Sequence, residues 1–307
     1  MKKLAGVLPP IPTPFDHFGR LALDKLRENF RRWLETGLHG FVVLGSNGEY
    51  VMLSDEEKFA VWETARAMIP SDRLFIAGAG AESTQAALHL IKRAAELGAD
   101  YALVVTPNYY KNQMNRAAQV AHYRALADSS PLPILIYNVP ANTGIDLDAA
   151  TILEIGMHPN VAGMKDSGGN LAKMGEILAN AKPDFAAFVG TGSLLYPAMA
   201  IGARGCVPAL GNVAPHAMVQ IYDDFLAGRH AQARDAQVRL VELNRYLTAL
   251  WGVPALKAAL DLLGYYGGPC RMPLLPLDAK QHEELKRVME QANLVTQQVT
   301  GQGKPAR

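Results

Sequence analysis

Cysteine is scarce in this 307-residue chain: Cys206 and Cys270 are the only two, and they form no Cys-x-x-Cys spacing. Neither a disulfide framework nor a local zinc site is therefore expected, and both thiols read as small core hydrophobes. The eight histidines are scattered singly, with no His-x-His or His-x-x-x-His pair, so no metal centre is expected either. An excess of one charge is also missing. Thirty Lys and Arg stand against 29 Asp and Glu, a formal net charge of +1, and no basic run exceeds two residues. Such a surface has little to offer a phosphate backbone, which excludes nucleic acid as the expected partner. Long apolar runs are few. The apolar start at Met1–Leu8 is cut short by Pro9, Pro10, Pro12 and Pro14, unlike an export signal. Residues 185–203 carry no charge, but Gly190-Thr191-Gly192-Ser193 and Pro197 break them into strand, loop and helix, not a membrane span. What is left, 49% hydrophobic and 19% charged, is the composition of a globular cytoplasmic protein with no membrane partner.

The pattern that remains is an alternation. Apolar runs at Leu4–Leu8, Gly40–Leu44, Leu74–Ala77, Tyr101–Val105, Ile134–Tyr137, Val161–Lys165, Phe185–Val189 and Gly205–Leu210 read as strands, with amphipathic helical stretches between them. Ser54-Asp55-Glu56-Glu57 has the capping-box spacing and predicts a helix to about Met68. Strands alternating with helices imply parallel pairing, and eight of them imply closure into an α/β fold of the (β/α)8 TIM-barrel type. After Pro215 only helical pattern follows, over 217–226, 230–250, 255–263 and 278–291. The expected organisation is a barrel over 1–228, a C-terminal helical region over 229–299 and a frayed tail over 300–307.

Active sites of such barrels lie at the C-terminal ends of the strands, so the residues after each apolar run are the candidates. They are Gly45-Ser46-Asn47-Gly48-Glu49, Gly78-Ala79-Gly80, Thr106-Pro107-Asn108-Tyr109-Tyr110, Tyr137-Asn138-Val139-Pro140, Lys165 and Gly190-Thr191-Gly192-Ser193. One amine, several hydroxyls and many backbone amides converge; no carboxylate pair, cysteine or histidine does. Lys165 ends a strand that looks buried on both faces, where an amine must be neutral, paired or useful. In a dry pocket its free form attacks a carbonyl and makes a Schiff base, which favours 2-oxo acid chemistry; a phenol such as Tyr137 can move the proton. The structural alternative is a lysine snorkelling from the barrel mouth or pairing with an acid. Ser46 and Asn47, flanked by glycines, offer hydroxyl, amide and N–H donors suited to a carboxylate, or form an ordinary βα turn. The Gly190–Ser193 loop is compatible with a phosphate cradle, which would make the protein a phosphosugar-binding barrel.

Three segments in order, Gly45-Ser46-Asn47-Gly48-Glu49, Tyr137-Asn138-Val139-Pro140 with Thr143-Gly144, and Gly163-Met164-Lys165-Asp166-Ser167, resemble the dihydrodipicolinate synthase and N-acetylneuraminate lyase family of pyruvate-dependent class I aldolases. The resemblance runs from about Leu4 to Met289. It implies that Lys165 forms the imine, with no other cofactor, and that Tyr137 donates and accepts the proton. Ser46 and Asn47 would then hold the carboxylate of a small 2-oxo acid, with Ser167, Gly190 and Val207 around the pyruvate pocket. A tyrosine from a neighbouring subunit would complete a relay through Ser46; Tyr110 fits best and Tyr109 is the alternative. A homotetramer built as a dimer of dimers is implied as well. Asn142 stands where the synthase branch has an arginine for the second carboxylate, and Ser46-Asn47 where it has two threonines. These, with Tyr265–Arg271, resemble the 4-hydroxy-2-oxoglutarate aldolase branch, which releases pyruvate and glyoxylate. The alternatives are dihydrodipicolinate synthase, another 2-keto-3-deoxy sugar acid or sialic acid lyase, and a non-catalytic keto-acid sensor.

Overall fold

The computed structural model describes residues 2–295; the tail expected over 300–307 lies outside them. Nine strand segments all pair in parallel: β1 (Gly6–Val7), β2 (Pro10–Ile11), β3 (Gly40–Val43), β4 (Leu74–Gly78), β5 (Tyr101–Val105), β6 (Ile134–Asn138), β7 (Val161–Asp166), β8 (Ala186–Val189) and β9 (Gly205–Cys206). β1 pairs with β9 and β2 with β3. These two short pieces are the ends of one extended run, so the sheet closes on itself as an eight-position barrel. The seam is continuous: Leu8 N–H donates to Cys206 O at 3.0 Å and Val42 N–H to Pro9 O at 3.0 Å. A proline-rich loop is expected after Leu8, yet Pro10 lies in β2. It is the first residue of that segment, where its missing N–H disrupts no ladder.

Helices fill the intervals, and their starts are well specified. Ser54 caps helix Asp55–Met68 in a reciprocal capping box with Glu57. The side chains of Ser83, Asn115, Asp148 and Asn170 each accept an N–H three residues on. Each such cap contributes about 1 kcal/mol and fixes the direction in which its helix leaves the barrel mouth. The charge-free run over 185–203 resolves into β8, a loop and helix Leu195–Ala200. No helix among the described residues is long and apolar enough to cross a membrane. The helical stretch expected over 230–250 is broken into His230–Arg239, Val241–Arg245 and a π turn, Tyr246–Leu250. There the Thr248 hydroxyl donates to Asn244 O at 2.7 Å and competes with the backbone ladder. Helices Gly252–Leu262 and Ala279–Gln291 follow, the latter capped reciprocally by Asp278 and Gln281.

Two apolar layers result from the strand period of two. Inside the barrel pack Leu8, Val42, Ile76, Leu103, Leu135 and Phe188. Between sheet and helices pack Phe30, Trp33, Trp62, Ile136, Met164 and many others. One irregularity decides where Lys165 points. Ile134 pairs with Val161, but Leu135 pairs with Gly163, so Ala162 is an extra residue in β7. Val161 belongs to the outer layer, and an unbroken alternation would send Gly163 and Lys165 outward with it. The bulge reverses the phase: Met164 packs outside, and Lys165 pairs with Tyr137 and Phe188 of the inner layer. Gly163 is needed there, since a Cβ on it would lie 2.0 Å from the Ala186 carbonyl oxygen. Gly163→Ala is accordingly expected to destabilise the barrel by about 3 kcal/mol through this clash, measured as a lowered denaturation midpoint. An unchanged midpoint would mean that β7 tolerates a side chain at the bulge.

Candidate active site

Strand pairing places Lys165 and Tyr137 side by side at the C-terminal ends of β7 and β6. Both are buried, at 3% and 4% exposure, and the ammonium nitrogen stands 4.0 Å from the centroid of the phenol ring. Ser46 is carried on the tight turn Ser46–Gly48 after β3, and its Oγ lies 3.2 Å from the Tyr137 hydroxyl. Ser167, just past Lys165, is a further polar group whose hydroxyl makes the phenol more acidic. Gly190 makes room for it: a Cβ there would lie 1.9 Å from Ser167 Oγ. Val207 follows β9 and packs in the same inner layer as Tyr137. A small cavity opens beside the phenol, bounded by Leu44, Tyr50, Gly78, Leu103 and Val105.

Burial alone would push the Tyr137 hydroxyl's pKa up. The Lys165 charge and hydrogen bonds with Ser46, Lys165 and Ser167 outweigh it, leaving the phenol more acidic than an ordinary tyrosine. Tyr50 has burial without such partners and is pushed up to about 12. Of two phenols facing one cavity, only Tyr137 is shifted toward easier release of its proton.

Behind the sheet a second polar cluster ties the two strand ends together. Asn138 Nδ2 donates to Asp166 Oδ1 and to Asp146 Oδ1, each at 2.7 Å, and its Oδ1 accepts Leu147 N–H. Lys173 Nζ donates to Asp146 Oδ1 at 2.5 Å. Because Asn138 and Asp166 each follow the reactive side chain by one residue, this cluster fixes the spacing of Tyr137 and Lys165 from the opposite face.

The remaining predicted residues stand apart. Asn47 is half-buried and its amide makes no hydrogen bond among the described residues, which leaves it free for a ligand. Asn142 is exposed on the short helix Pro140–Thr143, an element the sequence pattern did not reveal. Tyr109 and Tyr110 are 76% and 68% exposed and pack edge to face at 5.1 Å, so this chain alone brings neither to Ser46. Their loop is pinned by Glu82, whose carboxylate accepts the N–H groups of Asn108 and Tyr109 at 2.8 Å. Among the described residues no group of three or more His, Cys, Asp or Glu is placed to hold a metal ion.

The phosphate reading of Gly190–Ser193 is corrected by its hydrogen bonds. Gly192 N–H donates to Asn244 Oδ1, Gly192 O accepts Gln237 Nε2, and Asn244 Nδ2 donates to the hydroxyls of Thr191 and Ser193. The loop's polar groups are turned toward the C-terminal helices. Residues the sequence reading left without a role are Tyr50, Asn138 and Asp166. The latter two adjoin Tyr137 and Lys165, and a polar residue outward on a buried strand was the available signal.

A buried amine against an acidified phenol, with free donors at a barrel mouth, defines an enzyme of the pyruvate-aldolase type. Residues 3–292 match the model of the dihydrodipicolinate synthetase family. The chain is 36% identical over 292 residues to 4-hydroxy-tetrahydrodipicolinate synthase of Exiguobacterium sp., spanning 95% of this chain and 99% of that one. It superposes with a TM-score of 0.90 at 31% identity on dihydrodipicolinate synthase DapA-2 of Bacillus anthracis, covering 94% and 99%. It also superposes at 0.89 and 27% identity on YagE, a prophage protein of E. coli K12 in complex with pyruvate, covering 95% and 99%. The chain belongs to the dihydrodipicolinate synthetase family, whose enzymes use no cofactor beyond the lysine imine with pyruvate. These relatives lend no support to the narrower 4-hydroxy-2-oxoglutarate aldolase branch.

The influence of Lys165 on the Tyr137 hydroxyl is open to titration. Ultraviolet titration should show a phenol ionising below the ordinary tyrosine range, and Lys165→Met should remove that early step by withdrawing the cation. A titration unchanged by the substitution would dissociate the phenol's acidity from Lys165.

Proposed function

We propose that this chain is a cytoplasmic Schiff-base lyase that activates pyruvate at Lys165, and that its reaction joins the resulting enamine to aspartate semialdehyde, as in 4-hydroxy-tetrahydrodipicolinate synthase. The observation that carries the Schiff-base chemistry is the pairing of buried Lys165 with Tyr137 and Ser46. The synthase reaction itself is supported by the name of the relative at 36% identity over nearly the whole chain.

The Lys165 amine adds to the carbonyl carbon of pyruvate, and loss of water leaves the imine. Ser46 and Asn47 hold the carboxylate, with Ser167, Gly190 and Val207 around the methyl and imine carbons. Loss of a methyl proton gives the enamine, whose terminal carbon attacks the aldehyde. Tyr137 supplies the proton to the new alkoxide and recovers it through Ser46. Hydrolysis or transimination then frees Lys165. The barrel over 1–228 carries this chemistry and the helical region over 229–299 supports it. In a homotetramer, Tyr110 or Tyr109 of a second copy would extend the relay at Ser46.

A second reading, cleavage of 4-hydroxy-2-oxoglutarate to pyruvate and glyoxylate, is favoured by Asn142. An exposed neutral amide stands there in place of the arginine that the resemblance assigns to the synthase branch. Glyoxylate carries a carboxylate too, so the departure bears on which aldehyde fits and not on charge alone. The two readings share the imine and differ only in the aldehyde.

Incubation with pyruvate, borohydride reduction and peptide mapping should place the added mass on Lys165, and Lys165→Ala should abolish turnover in a folded protein; substantial retained activity would sink the assignment. Tyr137→Phe should leave imine trapping nearly intact while lowering kcat by about 10²–10³-fold. Turnover with aspartate semialdehyde, set beside glyoxylate formation from 4-hydroxy-2-oxoglutarate, decides between the two aldehydes.

A further inference from the structure

The loop that carries Ser46 and Asn47 is bracketed by two non-glycine residues in the left-handed region, Leu44 at φ 65° and Glu49 at φ 54°. Each costs on the order of 1 kcal/mol and persists only where its surroundings enforce it. Thr13 Oγ1 donates to Gly48 O at 2.7 Å and holds the turn from one side. From the other side comes the C-terminal region. Lys257, on helix Gly252–Leu262, reaches Glu49 Oε1 at 2.5 Å, and the two side chains are 2% and 1% exposed. The ammonium also donates to Pro269 O at 2.9 Å and lies 4.5 Å from the Phe15 ring centroid.

The other oxygen of Glu49 accepts Arg271 N–H at 2.8 Å. Arg271 then spreads outward. Its guanidinium forks onto Glu57 through two 2.6 Å bonds and donates to Met52 O at 2.8 Å and Gly19 O at 2.6 Å. A single carboxylate, three residues past Ser46 and two past Asn47, thus collects two contacts from a region remote in sequence. A buried ion pair is weak evidence for stability, because well-packed apolar residues often serve as well. Its retention here has a geometric meaning: it locks the backbone that aims the two donors.

We infer that Glu49 and Lys257 are positioning residues, through which the C-terminal helical region sets the grip of Ser46 and Asn47 on the 2-oxo acid carboxylate. This rests on the pyruvate reading of the site, and neither residue touches the substrate.

Lys257→Met alone leaves a buried carboxylate uncompensated and is strongly destabilising, so the informative variant is Glu49→Gln with Lys257→Met, which removes both charges together. In that folded double variant the pyruvate KM should rise about tenfold, equivalent to roughly 1.4 kcal/mol, with kcat at saturating pyruvate changed much less. Amide hydrogen exchange over residues 44–53 should accelerate, while exchange in β7 should not. An unchanged KM in the folded variant, with or without a lower melting temperature, would overturn the inference and leave the pair purely structural. If the wild-type protein forms no imine with pyruvate, the functional reading fails instead. Hydrogen exchange then still decides the positioning role, and unaltered exchange over 44–53 would refute it.

Discussion

An ammonium held 4.0 Å above a buried phenol is the contact around which this barrel is arranged. Neither partner is comfortable alone: the amine loses hydration and the hydroxyl would resist ionisation. The lysine's charge offsets the burial of the phenol, and the result is a proton carrier made more acidic by the side chain it stands beside. Everything nearby serves their spacing. β6 and β7 hold them in register, Asn138 and Asp166 clamp the same strands from behind, and Ser46 fixes the direction of the phenol's hydrogen bond.

Much of this was legible in the sequence because it depends on local chemistry. The eight apolar runs stand out between Gly and Pro punctuation, and Ser54 and Asp278 announce helix starts that the structure contains. Lys165 was visible as a charge at the end of an apolar strand, although the residues alone left it open between a reagent and a snorkelling side chain. Tyr137 and Ser46 were legible as a phenol and a donor at strand ends, roles that the resemblance sharpened, and the structure sets Tyr137 beside the amine and Ser46 against the Tyr137 hydroxyl. What was illegible depends on partners distant in the chain. Gly190–Ser193 looks like a phosphate cradle until Asn244 and Gln237 are seen to occupy its polar groups. Glu49 looks like one more residue of a turn until Lys257 meets it. The π turn that ends the helical stretch over 230–250 likewise goes with a hydroxyl that the apolar period does not register.

The division between barrel and helical region is therefore one of chain order more than of mechanics. Asn244 and Gln237 bind the loop after β8, while Lys257 and Arg271 bind the loop after β3. Two strand-end loops of the mouth lean on residues that follow the last strand. In a (β/α)8 fold the mouth loops are free to vary because the strands beneath them carry the stability. Here that freedom is reduced at two of the eight positions, and the shape of the pocket is shared between segments that never pair in the sheet.

The extra residue in β7 makes the aim of Lys165 a matter of parity. A strand offers its side chains alternately to two solvents, the barrel interior and the layer under the helices, and the count of residues from a paired anchor decides which. Val161 and Lys165 are four residues apart, an even step that would put both on one face. Because Ala162 drops out of the ladder the paired count is odd and Lys165 ends inside, where an unbroken ladder of the same length would send it among Ile136, Met164 and the helices. The same residues paired without that bulge would present no nucleophile to the barrel interior at all.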